Sequence, residues 1–467
     1  MANGKNRPGQ FLRRIAGSTF LRRRWALLVL LAASLIMRIF LFQSVIPRVH
    51  TDSVTYLELR NLDPVRTPGY PLFLEVIQFF NDLFTITPRY LRLIVFVQMF
   101  ILGLINTYLV YAFSRLLARS EVFSLAMGLV YNLDYFVIGF EFLLLTETLS
   151  LTFLGLTLLF YRKMFEPNKR APFLAGLLAV CLLLTRPSFA GLFVCLLGLS
   201  WLVHIRSVKG NGFFKKYGPA LAVFLLFNLA GIGGWSWRNK VKHGYFGIST
   251  ILPYQLGYFT QHFYRKYKSG GDAEMDKYAA ILAEEKGWPF EFRRRLAEDM
   301  NMTEAQISTV LMRLNSKMIR DNFGDYLRLL PKAASSYYDY SWDWTAPQNK
   351  RIFRRNPITA RLFRSFFKLY APIFKNTLAL LTFVLFVPAA LLIATRKNKP
   401  VFHLLCLIEG IIHYNFLICV FFTPGGINNM RYRAPVEPFI LLVFYASLFL
   451  LGRFLFRTAQ GRLRGGT

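Results

Sequence analysis

Acidic side chains and cysteines are both scarce in this chain of 467 residues. Asp and Glu number 25 against 57 Lys and Arg, which leaves a formal net charge of +32. In a soluble protein that excess would indicate nucleic-acid binding. Here the basic residues occupy short connectors between apolar runs, where they orient a membrane protein and contact anionic headgroups. We therefore expect membrane lipids as partners and no nucleic acid.

The four cysteines lie inside apolar segments and lack the spacing of metal ligands. They fit small buried hydrophobic side chains, so we expect neither disulfides nor a thiolate zinc site. The chain also has no internal repeat, glycine-rich phosphate loop, HExxH motif or nucleophile elbow. Its histidines show no mutual spacing, so the sequence by itself supports no metal site.

Apolar residues dominate what is present: 54% of the chain is hydrophobic and 16% aromatic. This composition predicts an all-α polytopic membrane protein, because a helix satisfies every backbone group within its own segment. With roughly 20 apolar residues needed for each crossing, we expect about ten transmembrane helices. The predicted spans are 25–42, 91–113, 122–139, 142–161, 172–184, 189–203, 219–235, 377–393, 401–422 and 435–451.

The Lys and Arg clusters predict the orientation. If every span is crossed once, six basic clusters fall on one side, which should be cytoplasmic by the positive-inside tendency. These clusters are the N-terminal tail, 115–119, 162–170, 206–216, 396–399 and 453–464. Both termini are then predicted to be cytoplasmic, and the candidate site residues gather on the extracytoplasmic face.

Three parts of the chain follow from this pattern. Residues 1–237 form an N-terminal transmembrane module whose first outer loop, 47–89, carries the leading site candidates. Residues 238–371 form a small helical extracytoplasmic subdomain, and residues 372–467 form C-terminal spans with a basic cytoplasmic tail. Apolar residues in the subdomain recur at helical spacing in 274–286, 291–300 and 304–330. Thr303 begins the last of these in the manner of a helix N-terminus.

Asp52 and Arg66 are the first candidates for chemistry, directly after the first span. Asp52, next to His50 and Tyr56, is suited to act as a general base at a partly desolvated interface. Capping of an interfacial helix explains it equally well. Arg66 lies in a proline-rich segment that includes Tyr70, and its fork matches phosphate oxygens. Its alternative role is contact with lipid headgroups.

Glu147 is the second acidic candidate, because a carboxylate at the outer end of an apolar helix is rare and usually functional. Asp134 and Glu141 compete with it, but we expect both in a solvated connector.

Four more arginines, Arg186, Arg238, Arg431 and Arg433, lie at the outer ends of spans, where the positive-inside tendency predicts few. They are candidates for binding a substrate phosphate, with outer-leaflet lipid phosphate as the alternative.

Five segments in order, 52–56, 66–74, 145–149, 234–239 and 431–438, resemble the GT-C glycosyltransferases, in the bacterial branch related to protein O-mannosyltransferases and aminoarabinose transferases. The resemblance implies an inverting enzyme of the bacterial inner (plasma) membrane with a polyprenyl-phosphate sugar as donor. Its acceptor would be a lipid, glycan or protein hydroxyl on the extracytoplasmic side.

The resemblance also implies roles for individual residues. Asp52 matches the loop carboxylate taken as the base or its key partner, Glu147 a second acidic site, and Arg66 a basic residue that contacts the donor phosphate. The family often carries paired acidic residues in this loop, whereas Ser53 follows Asp52 here. A bound divalent metal is therefore left open. The competing function is a transporter or flippase of polyprenyl phosphate or lipid-linked glycan, with a structural subunit as a third reading.

Overall fold

The computed structural model describes residues 19–44, 51–57, 64–87, 89–205, 212–269, 271–338, 398–422 and 429–465, with isolated positions at 47, 49, 361, 365, 387–389 and 395. Every regular secondary-structure element within these residues is a helix, which confirms the all-α class. The helices are α1 Thr19–Ser44, α2 Thr51–Leu57, α3 Gly69–Phe84, α4 Tyr90–Phe96, α5 Gly103–Ala118, α6 Glu121–Leu133, α7 Tyr135–Glu141, α8 Glu147–Lys163, α9 Ala171–Thr185, α10 Leu192–Ile205, α11 Gly212–His243, α12 Ile251–Thr260, α13 Ala273–Glu284, α14 Pro289–Asp299, α15 Glu304–Asp321, α16 Phe323–Tyr338, α17 Lys399–Phe422, α18 Asn429–Arg433 and α19 Glu437–Gly465. A π-helical turn, Val97–Leu102, joins α4 to α5.

Five stretches of the described residues are long and apolar enough to cross a membrane: Trp25–Gln43, Tyr90–Ala118, Gly212–His243, Lys399–Phe422 and Glu437–Phe454. A sixth results if α6 and α7, bent by 62°, are counted as one span. Helix α9 and the stretch Pro187–Val203 are apolar but shorter. The chain thus has several helices that could span a membrane, and the predicted count of ten is not confirmed.

Two predicted spans differ from the observed helices for local reasons. Span 122–139 is interrupted at Asp134, which adopts an extended conformation and caps α7 by accepting from the Phe136 N–H at 3.0 Å. Span 142–161 loses its first residues to a turn, and its helix begins only at Glu147. Span 377–393 lies outside the described residues except for 387–389. The predicted boundary at 237 falls inside α11.

Glu141, expected in a solvated connector, is fully buried. Its carboxylate pairs with the Arg38 guanidinium at 2.7 Å, and neither side chain has more than 1% exposure. The hydroxyl of Tyr131 also donates to Glu141 at 3.2 Å. Because a buried charge is costly unless it is paired and hydrogen-bonded, the Arg38–Glu141 pair ties α1 to the end of α7. Asp134, which was also expected in a solvated connector, is buried as well.

Helices α12 to α16 share a second hydrophobic core. The predicted helices 274–286 and 291–300 are confirmed as α13 and α14, with ends that agree within about two residues. The predicted helix 304–330 divides at Asn322 into α15 and α16. Thr303 caps α15 as expected, in a capping box with Gln306. The core rests on α17, because Tyr326 donates to the Phe421 carbonyl at 3.0 Å and Tyr337 to Asn415 at 2.7 Å.

Candidate functional site

A cavity of about 500 Å³ lies where α2, the segment before α3, the end of α9, the segment before α12, the end of α17 and α18 meet. Its polar wall includes Asp52, Arg66, Arg186, Arg431 and Tyr432. Its apolar wall includes Ile251, Leu252, Ile418, Cys419 and Phe422. The cavity therefore joins a charged end to an apolar end, and the apolar end lies at the last turns of α17, a candidate span.

The charged end is a network of ion pairs between distant parts of the chain. Arg66 Nη2 donates to Asp52 Oδ1 at 2.8 Å, and Arg431 Nη1 donates to the second oxygen of Asp52. Arg431 Nε donates to Glu147 Oε1 at 2.5 Å. Arg431 thus bridges the two carboxylates that the sequence singled out. The structure brings four of the sequence candidates, Asp52, Arg66, Glu147 and Arg431, together in one network.

The carboxylates lie at different depths. Asp52 lines the cavity and its side chain is 28% exposed, whereas Glu147 is 1% exposed and is not among the lining residues. Burial lowers the pKa of Arg431, but Glu147 and Asp52 raise it more, so the net shift is upward. Arg431 therefore stays charged and holds Glu147 as a support beneath the cavity.

The network has more guanidinium than carboxylate. Arg186 Nη1 lies 3.7 Å from Glu147 Oε1, beyond hydrogen-bond distance. Three arginines then face two carboxylates, an excess of one positive charge. Arg66 Nε and Arg186 Nη1 are buried and have no hydrogen-bond partner in the part of the chain that the structure describes. Buried donors without partners are rare in proteins, so this end of the cavity is suited to bind an anion.

Local sequence explains how Arg66 is held. The Pro64 carbonyl accepts from the Thr250 N–H at 2.9 Å, and the Val65 carbonyl accepts from Ser249 Oγ at 2.6 Å. Helix α3 then begins at Gly69, where a Cβ atom would lie 2.6 Å from the backbone nitrogen of Thr185. Glycine is required there because the segment that carries Arg66 packs directly against the end of α9, one residue before Arg186.

We expect Gly69→Ala to lower the free energy of unfolding by about 1 to 3 kcal/mol, the usual cost of overpacking a tight contact. The added methyl group would also displace the Arg66 segment from the cavity. Thermal unfolding in detergent measures the first effect. Gly233→Ala, at a glycine of α11 with open space around it, is the matched control. Equal stability of the two variants would contradict the close approach.

Arg186 and Glu147 are placed by helix ends. Pro187 disfavours helical backbone at the residue before it, so α9 ends at Thr185 and Arg186 is extended, with φ of −146°. Its guanidinium lies over the Tyr432 ring, 5.2 Å from the centroid. Glu147 is the first residue of α8, where a negative charge is favourable to the helix dipole.

Arg433 and Arg238 lie outside the cavity lining. Residues two apart on a helix point about 200° away from each other, so Arg431 and Arg433 of α18 cannot share one face. Arg433 is fully buried, pairs with Glu437 at 2.5 Å and donates to the Tyr337 carbonyl at 2.6 Å. Arg238 remains on α11, where it contacts Asn239 at 2.9 Å and the Trp235 ring. Both arginines therefore contact other parts of the protein and do not face the cavity.

The remaining candidates differ in placement. Tyr56 lines the cavity, and the Arg66 guanidinium lies 5.2 Å from its ring centroid. Tyr70 is behind it, fully buried, with its ring against Tyr56 and its hydroxyl donating to Gln98 at 2.8 Å. Burial raises the pKa of Tyr70 well above its ordinary value, so it remains neutral. His50 lies outside the described residues.

Tyr432, Tyr414 and Gln255 are among the lining residues that sequence reasoning did not single out. Tyr432 accepts a hydrogen bond from Gln255 at 2.8 Å, which links α18 to α12. Tyr414 accepts from the Gly191 N–H at 3.0 Å and donates to the Ser188 carbonyl at 2.7 Å. The position of Tyr432 beside Arg431 was a signal that could have been used. Nothing in the apolar context of Tyr414 or Gln255 marked them.

Among the described residues no group of three or more His, Cys, Asp and Glu side chains is placed to hold a metal ion. Arg431 lies between Asp52 and Glu147, so these carboxylates do not form a cation site in this arrangement. No family model and no curated protein sequence matches the chain. The resemblance to GT-C glycosyltransferases therefore stays a prediction.

Proposed function

We propose that the protein is an inverting glycosyltransferase that moves a sugar from a polyprenyl-phosphate donor to an acceptor hydroxyl. One observation carries the proposal: Asp52 lies beside an excess of guanidinium groups in a cavity whose other wall is apolar. This combination of groups can bind a lipid-linked anion and supply a general base. We place the protein in a bacterial plasma membrane, with both termini cytoplasmic and the cavity extracytoplasmic.

The donor phosphate fits the charged end. Arg66, Arg186 and Arg431 would surround its oxygens, and guanidinium groups bind phosphate with charge-assisted hydrogen bonds. The polyprenyl chain would follow the apolar wall at Leu252, Ile418 and Phe422 toward the bilayer. The sugar then lies between the phosphate and Asp52.

The reaction is a single displacement. The acceptor oxygen forms a bond to the anomeric carbon as the bond from that carbon to the phosphate oxygen breaks, and the electron pair leaves with the phosphate. Asp52 takes the hydroxyl proton, and one displacement inverts the configuration. The arginines stabilise the negative charge that develops on the leaving phosphate, most strongly in a water-poor site.

Donor binding would also activate the base. Both oxygens of Asp52 accept from arginines in this structure, and these ion pairs make the carboxylate a poor proton acceptor. A phosphate competes for the same guanidinium groups, so its arrival would release Asp52. Glu147, which keeps its contact with Arg431, is a positioning residue in this scheme rather than a catalytic one.

Arg66→Ala should raise the KM for the donor by roughly ten- to a hundredfold, the effect of losing about 1.5 to 3 kcal/mol of charged hydrogen bonding. The KM for the acceptor should change little, because Arg66 would bind the donor phosphate and not the acceptor. Steady-state kinetics with each substrate varied in turn measures both constants. Arg328→Ala, at a side chain that is 84% exposed, is the control. Equal changes in the two constants would contradict a phosphate role.

The most direct test is mass spectrometry of lipids, glycans and proteins extracted from cells with and without the gene product. The proposal expects a species that lacks one sugar increment when the protein is missing. Purified protein should then transfer that sugar from its polyprenyl phosphate. An unchanged set of glycoconjugates in such cells would count against it.

A transporter of polyprenyl phosphate or lipid-linked glycan is the second candidate. Glu409 favours it, because this carboxylate lies midway along α17, is 14% exposed, and has one oxygen without a hydrogen-bond partner among the described residues. Charged groups within spans are typical of transport pathways. Reconstituted vesicles separate the two functions: movement of intact donor across the bilayer without transfer of its sugar supports transport.

A further inference from the structure

A second cavity of about 590 Å³ lies in the helical subdomain. One wall is a face of α15, and the others come from α12, from the segments on either side of it and from the start of α13. The polar lining residues include Tyr245, Tyr267, Ser308, Thr309, Arg313 and Lys317. Hydroxyl groups, two tyrosine rings and basic side chains therefore share one cleft.

The α15 wall is a regular polar surface. Its lining residues recur every four positions in two neighbouring rows, so they share one helix face. Ser308 and Ser316 belong to one row, Thr309 and Arg313 to the other. This face presents hydroxyl groups along its length and basic groups toward its C-terminal half. A polyhydroxylated ligand with a negative charge matches that order.

The cleft carries surplus positive charge. Arg313, Lys317 and Arg320 line it, against Asp272 alone among the acidic residues. Lys317 pairs with the nearby Asp321 at 2.6 Å and lies over the Tyr267 ring. Arg313 is exposed and forms no hydrogen bond or ion pair with the described part of the chain. Its guanidinium is therefore available to a carboxylate or phosphate.

The second cavity adjoins the first one. Tyr245 lines both, and its hydroxyl donates to the Ser249 carbonyl at 3.2 Å. Ser249 in turn donates to the Val65 carbonyl, next to Arg66. Part of the wall between the cavities is thus the segment 245–249, which is hydrogen-bonded to the segment that carries the donor-binding arginine.

We propose that this second cavity binds the acceptor and that the acceptor is an acidic carbohydrate. The inference rests on the proposed glycosyltransferase function. The tyrosine rings pack against sugar faces, the serine and threonine hydroxyls bond to sugar hydroxyls, and Arg313 binds the acidic group. The acceptor hydroxyl then extends past Tyr245 toward Asp52.

The test uses the full chain in detergent and a pair of probes, oligogalacturonate and its methyl ester, which share the sugar backbone and differ in whether the carboxyl groups are charged or methylated. Wild-type protein should bind the acidic probe, and Arg313→Gln should weaken that binding roughly tenfold, the effect of one charged hydrogen bond. The methyl ester should bind more weakly to wild type and equally to both proteins. Arg328→Gln, which removes an exposed arginine outside the cleft, should bind like wild type.

Equal binding of the two probes, or equal binding by wild type and Arg313→Gln, would overturn the inference. Assays of sugar transfer from the donor distinguish failure of this inference from failure of the proposed function. If sugar transfer occurs and Arg313→Gln leaves the KM of the acceptor unchanged, the acceptor site is wrong and the transferase stands. If the acidic probe binds through Arg313 and no transfer is found, the binding cleft stands and the transferase is wrong.

Discussion

Asp52→Asn is expected to reduce sugar transfer by about 10² to 10⁴, the usual contribution of a positioned general base. Asparagine has nearly the same shape, but it cannot take the proton from the acceptor hydroxyl. It also turns an amide N–H₂ toward Arg66 or Arg431, each of which donates to the carboxylate in this structure. Both effects act on the chemical step, so we expect kcat to fall more than the donor KM rises.

The measurement is transfer of a labelled sugar by purified protein. Asp82→Asn is the matched control, because Asp82 is an exposed carboxylate of α3 that accepts hydrogen bonds from Gln78 at 2.6 Å and from Asn81 at 3.5 Å. Its activity should equal that of wild type. Thermal unfolding of the Asp52 variant checks that the protein remains folded, because the substitution removes a carboxylate that pairs with Arg66 and Arg431. Full transfer activity in a folded Asp52→Asn protein would remove Asp52 as the base.

Arg431→Gln is expected to have the largest effect on stability. It leaves Glu147, whose side chain is 1% exposed, without its closest cation. Removing one partner of a buried ion pair typically costs about 3 to 5 kcal/mol, because the other charge stays buried and uncompensated. Arg186 compensates only in part, at 3.7 Å from Glu147. Donor binding and transfer should be lost as well.

A second variant separates the structural role of Arg431 from its chemical role. Arg431→Gln combined with Glu147→Gln removes both charges, so most of the lost free energy of unfolding should return. Transfer should remain low, because the phosphate has still lost a guanidinium. Denaturant unfolding in detergent and donor-binding assays measure the two effects. Additive stability losses in the double variant would show that the two side chains are not coupled.

Several features of the fold could be predicted from local patterns. The apolar runs predicted helices, and the cap at Thr303 predicted the start of α15, because both depend on neighbours in the sequence. Span boundaries depend on finer details. The break at Asp134 depends on one side chain capping α7 within an apolar run, and the late start of α8 at Glu147 depends on a turn. Hydropathy averages over such details.

The site was predictable in part for a similar reason. Arg66 and Asp52 are close in sequence and share one loop, whereas Arg431 is 379 residues from Asp52. Motifs indicated that these groups are unusual for their positions. They did not indicate which of Arg431 and Arg433 faces the cavity, since that depends on the helical turn of α18. Nor did they indicate that Glu141 pairs with Arg38, a residue 103 positions earlier.

Composition and periodicity alone established an apolar, all-helical chain with acidic and basic groups at the ends of its helices, because those properties are local. Only the tertiary structure decided how the charges are paired. It placed Glu147 beneath the cavity, Asp52 at its wall and Arg433 in the core. Pairing energies depend on distance and burial in space, and neither quantity can be obtained from spacing along the chain.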